Sequence, residues 1–166
     1  MNSRKQRPEH TAPRGRLTLT VSDPGGRTVA ERRVGNIVLR QGAAIIAGLF
    51  AGQNGAAPIN RIQVGFGTEG GDPSLASLTP PDPPIDPVHL STPLGPEAFG
   101  VVTDGARAVQ VSIQAVFKPT ENLKDVTEAG LLAGDQLYNQ VVFEPVELRI
   151  GQDVTFFWEV DFPFGH

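Results

Sequence analysis

The sequence predicts a mainly β protein, an antiparallel β-sandwich or barrel with one α-helix and a long proline-rich loop. Three observations predict it. Runs in which apolar and polar residues alternate recur along the chain, most clearly in its last third, every 10–15 residues. The 166 residues include 19 Gly and 15 Pro, which favour turns and irregular segments over long helices. Only one stretch, residues 37–51, shows apolar residues at helical spacing.

The elements follow in chain order. Residues 1–15 are polar, basic and proline-containing, and read as a disordered arm ahead of a single β-rich domain over 16–166. Leu17, Leu19 and Val21 alternate with Thr18 and Thr20, a half-buried strand. Asp23-Pro24-Gly25-Gly26 is a turn: Pro fixes one φ, and Gly permits the positive φ that follows. Thr28 to Val34 returns as a second strand. Asn36 has the side chain of an N-cap, so a helix is expected over 37–51, ending at Gly52. Ile37, Val38, Ile45, Leu49 and Phe50 make it apolar on most sides, so it should pack on a sheet and be largely covered. Gly42 and Gly48 each weaken it by roughly 1 kcal/mol relative to Ala.

Pro58 to Phe66 reads as a strand. Residues 67–100 then hold eight of the fifteen prolines, including Pro80, Pro81, Pro83 and Pro84. This insertion is too long for an ordinary loop; extended, polyproline-like backbone is expected, mobile or laid along a partner. The strand at 109–117 ends at Pro119. Val126–Leu132 is a strand closed by Gly134-Asp135, and Leu137–Phe143 is another, halted by Pro145. After Gly151-Gln152, Val154, Phe156, Trp158, Val160 and Phe162 form one strongly apolar strand face.

Charge bounds the partners. Residues 1–16 carry Arg4, Lys5, Arg7, Arg14 and Arg16 against Glu9, a net +4, while the remaining 150 carry 9 basic and 17 acidic residues, a net −8. The basic stretch is either a solvated terminus or an arm that docks on an acidic neighbour, including another copy of the chain. The acidic body disfavours nucleic acid. The basic N-terminus has no apolar core of a signal peptide, and the longest uncharged stretch, 41–60, contains Gln53, Asn54, Pro58 and several Gly, a poor membrane span. Without cysteine the chain forms no disulfide, thiolate nucleophile or iron–sulfur site.

Candidate chemistry is sparse. Gly65, Gly67 and Gly70 match G-x-G-x-x-G after a strand, but Gly71-Asp72-Pro73 follows where a dinucleotide site needs a helix; a glycine turn leaving the strand is the better reading. His10, His89 and His166 lack metal-ligand spacing, so no metal, cofactor or catalytic residue is assigned. Asp86 is placed to pair with His89. Glu159 and Asp161 share a strand face about 6–7 Å apart, an arrangement that paired-acid hydrolysis could use, but a solvated face that discourages edge pairing is the better reading. Glu128 lies within a strand, either facing outward or satisfying a backbone amide. Trp158, among Phe156, Phe157 and Phe162, reads as core rather than as a sugar platform.

Residues 125–162, DVTEAGLLAGDQLYNQVVFEPVELRIGQDVTFFWEVDF, carry a resemblance. Thr127-Glu128-Ala129-Gly130-Leu131, Val141-Val142-Phe143 and Thr155-Phe156-Phe157-Trp158-Glu159-Val160 resemble a strand pattern of small structural proteins of tailed phages and phage-tail-like contractile injection systems. Asn36-Ile37-Val38, the helix through Leu49 and INRIQVGFGTE (59–69) resemble its N-terminal part, in which a helix leads into a glycine-ended strand. The resemblance spans about residues 36–162. It implies a non-catalytic subunit of a virion or injection-system particle, assembled in the bacterial cytoplasm: a collar, cap, baseplate or fibre-attachment component. Its partners would be copies of itself and other tail subunits. The candidate interaction residues are then Arg4, Lys5, Arg7, Arg14 and Arg16 of the arm and Pro80, Pro81, Pro83 and Pro84 of the insertion. A carbohydrate- or receptor-binding module of a tail fibre is the alternative.

Overall fold

Ten strands and one helix account for the alternating runs. A computed structural model describes residues 14–104 and 107–165. In chain order the strands are β1 (Arg14–Ser22), β2 (Thr28–Val38), β3 (Arg61–Gly65), β4 (Ser91–Pro93), β5 (Phe99–Asp104), β6 (Ala108–Phe117), β7 (Leu123–Ala133), β8 (Gln136–Leu137), β9 (Asn139–Leu148) and β10 (Asp153–Pro163), with α1 (Arg40–Ala51) between β2 and β3. Nine of them form one antiparallel sheet in the order β4-β3-β7-β9-β2-β1-β10-β6-β5, curled into a half-barrel, and β8 adds to β7. The mainly β expectation holds, with the barrel left open rather than closed.

Side-chain alternation becomes cross-strand rows on the concave face. Val34, Leu17, Trp158, Ile113 and Phe99 stand opposite one another from β2 to β5. Leu19 faces Phe156 and Val21 faces Val154 in the neighbouring rows. These pairs are largely removed from water, and burial of this kind is the main stabilising term of the fold. Trp158 is 0% exposed, and its indole N–H donates to Asn36 Oδ1 at 3.0 Å. Gly15 makes room for that bond, because a methyl there would overlap the Asn36 amide.

Asn36 therefore caps no helix. It lies inside β2, and Ile37 and Val38 continue the strand to pair with Gln140 and Asn139 of β9. The helix starts three residues later than expected, at Arg40, and does end at Gly52, which adopts φ 63°. Its burial was misjudged too. Only Gly42, Ile45 and Gly48 are buried, so α1 docks along one narrow stripe. Gly42 is what lets it dock. A methyl on Gly42 would collide with the Tyr138 carbonyl, a backbone atom that cannot swing away. Gly42→Ala should therefore lower stability by about 1–3 kcal/mol, as overpacking does, rather than raise it by the ~1 kcal/mol of helix propensity. Thermal melts decide this, and a raised Tm would contradict the docking described.

Pro145 does not halt its strand. β9 runs through it, paired with β7 through Val146 and Leu148. On the other side β2 and β9 pair only at residues 37–38 and 139–140, so near Pro145 there is no β2 ladder for its missing N–H to break. Arg32 closes this gap instead, donating from Nε to the Glu144 carbonyl at 2.9 Å and from a terminal nitrogen to the Pro145 carbonyl at 2.8 Å.

The arm is shorter than expected where it can be described. Arg14 and Gly15 are already in β1, in register with Asp161 and Val160. Arg4, Lys5 and Arg7, and the rest of residues 1–13, lie outside the described residues. The 67–100 insertion contains β4, two short 3-10 turns and the start of β5, and it folds back on its own sheet rather than standing free of it.

Candidate interaction surfaces

A buried carboxylate fastens the insertion. Glu128 lies on β7, an interior strand between β3 and β9 whose residues 126–133 are all buried. It is 1% exposed and accepts three hydrogen bonds: from the Gly67 amide at 3.0 Å, the Thr79 amide at 2.6 Å and Gln140 Nε2 at 2.7 Å. Thr127 Oγ1 adds a bond to the Gly67 carbonyl at 2.6 Å. Gly65 and Gly67 border this carboxylate, and a Cβ on either would come within 2.5–2.8 Å of its oxygens. The glycine motif thus serves close approach of a carboxylate inside the fold, and Glu128 takes the amide-satisfying role of its two sequence readings.

Beyond this anchor the insertion and the sheet enclose a groove of about 680 Å³. Phe66, Pro81, Pro83, Ile85, Leu123 and Pro145 make its apolar walls. Asp82, Lys124 and Asp125 stand at its exposed rim. Asp125 has φ 57° where the β7–β9 register shifts, a bulge that turns the strand at the groove. Of the four candidate prolines, Pro81 and Pro83 line the groove, Pro81 half-buried and Pro83 exposed, while Pro80 and Pro84 are exposed. Next to the groove, a hydrogen bond from Arg149 holds the Glu147 carboxyl below the usual carboxylate range.

Two further surfaces are left uncovered by the described residues. On α1, Ile46, Leu49 and Phe50 are exposed, Phe50 at 95%, and the helix carries no charge after Arg40. The sheet ends at β4 and β5. β4 is three residues long and finishes in Pro93, so it is a poor template for another strand. β5 has six residues and no proline or basic residue, with Val101 70% exposed and Val102 also open to solvent.

No family model, curated protein or solved structure matches this chain.

The remaining sequence candidates are accounted for locally. Arg16, placed in the docking arm, pairs with Glu159 of its own chain at 2.9 Å. Gln110 Nε2 donates to Glu159 at 3.3 Å and to Asp161 at 3.0 Å. The two acids thus belong to a polar network across the convex face of β1, β10 and β6, as the solvated-face reading has it. Trp158 is core and offers no platform to a sugar. Asp86 does not pair with His89: it accepts from the Val88 amide at 3.0 Å, and His89 Nδ1 meets Thr120 Oγ1 at 2.6 Å. Among the described residues, no helix is long and apolar enough to cross a membrane, and no three His, Asp or Glu residues cluster as metal ligands would.

Sequence reasoning missed β5 and the α1 face. The first was hidden by the proline-rich boundary drawn at residue 100, inside the strand. The second did leave a signal. A helix with no charge past its first residue is either enclosed by its own chain or open to another, and the wrong option was taken.

Proposed function

We propose that this chain is a non-catalytic structural subunit of a multi-copy particle, of the kind found in phage tails and contractile injection systems. It works by holding its neighbours in place, as a collar, cap, baseplate or fibre-attachment component assembled in the bacterial cytoplasm. The observation that carries the reading is the β5 edge, which among the described residues has no proline and no covering strand, and only one charge, Asp104 at its end. Monomeric proteins blunt such edges with charge, proline or a covering loop, because an open row of backbone N–H and C=O groups recruits another strand. An edge left open with two exposed valines suits a subunit whose neighbour supplies the next strand. The sequence resemblance over residues 36–162 supports the same reading.

The test is to purify particles from the natural host carrying a tagged chain and to fractionate them by sedimentation. The chain is expected to travel with large particles, and Val101→Pro, placed where the alternation of the β5–β6 register turns the backbone N–H away from β6, is expected to leave it at the top of the gradient while its melting temperature stays close to that of the parent. A chain that never sediments with a particle, or one whose incorporation ignores Val101→Pro, refutes the proposal.

A further inference from the structure

We infer that Asn54 is a site of spontaneous chemical modification, at which the Gly55 backbone nitrogen attacks the Asn54 side chain and water completes the conversion to aspartate and isoaspartate.

The sequence supplies the reacting pair once. Asn54-Gly55 is the one place in the chain where asparagine precedes glycine. Ring closure joins a backbone nitrogen to the side-chain carbon of the asparagine before it, and a Cβ on the second residue hinders that approach. Glycine has none.

The fold leaves the pair free to react. Asn54 and Gly55 are the centre of a turn just past α1, closed by the Ala56 amide donating to the Gln53 carbonyl at 3.1 Å, with Gly55 at φ 81°. Both are exposed, and they border an open hollow of about 240 Å³ between α1 and Gln136. Among the described residues, no hydrogen bond engages the Gly55 amide or the Asn54 side chain.

The other described asparagines are held. Asn36 Oδ1 accepts from the Trp158 indole, Asn60 Oδ1 from the Gly134 amide, Asn122 Oδ1 from the Ile150 amide and Asn139 Oδ1 from the Leu131 amide, all at 2.9–3.0 Å. The residues that follow them, Ile37, Arg61, Leu123 and Gln140, carry side chains and lie in strands, where the ladder fixes the backbone. Asn54 alone combines a loose side chain, an unhindered nucleophile and access to water.

The step needs no oxidant or reductant. The Gly55 nitrogen gives its proton to solvent and bonds to Asn54 Cγ, the Cγ–Nδ2 bond breaks, and the side-chain nitrogen leaves as ammonia. Water then opens the cyclic imide. Attack at Cγ breaks its bond to the Gly55 nitrogen and gives aspartate. Attack at the Asn54 backbone carbonyl carbon breaks the original peptide bond and gives isoaspartate, with the main chain rerouted through Cγ.

Both products alter the end of α1. Residues 41–60 carry no charge, and the new carboxylate stands just past a helix C-terminus, the negative end of its dipole. Isoaspartate also lengthens the backbone of a turn that is tied to α1 by the Gln53 amide donating to the Gly48 carbonyl at 3.0 Å.

Ageing the folded full chain in mildly alkaline buffer tests this. Cleavage after lysine and arginine, at mildly acidic pH to suppress further reaction, yields a peptide from Gln41 to Arg61 that holds both Asn54 and Asn60, and fragment masses tell the two apart. Asn54 is expected to gain the mass of exchanging NH2 for OH, with heavy oxygen incorporated from labelled water. The product should separate into two forms, one of them matching Asn54→Asp. By the time most of Asn54 has converted, Asn36, Asn60, Asn122 and Asn139 should be nearly unchanged. Gly55→Ala, with folding verified by a thermal melt, should slow the reaction several-fold, and unfolding the parent in urea should accelerate it little. An Asn54 that stays intact in the folded chain overturns the inference, as does conversion of the held asparagines at the same rate. Aspartate without isoaspartate, or a Gly55→Ala chain that reacts like the parent, overturns the ring-closing route.

Discussion

Replacing Glu128 with alanine is expected to cost about 3 kcal/mol or more and to release the start of the insertion from the sheet. The loss leaves the Gly67 amide, the Thr79 amide and the Gln140 side-chain N–H without their acceptor at a site removed from water. Each unpaired buried donor costs about 1–3 kcal/mol. Glu128→Gln should be milder. Its remaining oxygen still serves the two amides, and only the contact with Gln140 places two N–H groups face to face. Urea unfolding measures the total. Amide hydrogen exchange locates it, because Gly67 and Thr79 should lose protection ahead of the β1–β10 core. Unchanged protection at both amides in Glu128→Ala would mean that the insertion is held by something else.

Trp158→Ala should be the most damaging single change in the core, at about 3–5 kcal/mol. The indole stands between Leu17 and Ile113, with no exposed surface, in the row that joins five strands. Its removal opens a cavity against rigid strands that cannot collapse, and it strips Asn36 Oδ1 of its donor. Trp158→Phe separates the two contributions: most of the apolar volume returns while the lost hydrogen bond remains, for about 1–2 kcal/mol. Denaturant midpoints measure both variants. A loss under ~1.5 kcal/mol for Trp158→Ala would deny Trp158 its central place.

Most of the fold could be read from the sequence because most of its strands have one wet face. Leu17, Leu19 and Val21, or Val154 to Phe162, alternate for that reason. The reading failed where a different constraint rules. β7, read correctly as a strand over Val126–Leu132, is covered on both faces, so its buried Thr127 and Glu128 give no alternation and its first residues from Leu123 went unread. β5 is too short and too close to prolines to announce itself. Asn36 has the chemistry of a cap, yet the indole it bonds lies 122 residues away, which no local rule can see. Gly42 reads as a defect of the helix until the Tyr138 carbonyl is placed against it. The groove escaped for the same reason: its walls come from Phe66, the insertion, Leu123 and Pro145, which only the folded chain brings together.

The seating of β1 between β2 and β10 has a kinetic consequence. The middle of the sheet joins the first described strand to the last, so a ribosome must release residues through Pro163 before Leu17 and Leu19 can meet Trp158 and Phe156. Until then the β1–β2 hairpin waits with its apolar side in water. Closure over so long a span is slow compared with local pairing. Nascent chains of this protein should therefore be most vulnerable to aggregation, and most dependent on chaperones, in the interval just before the final strand emerges.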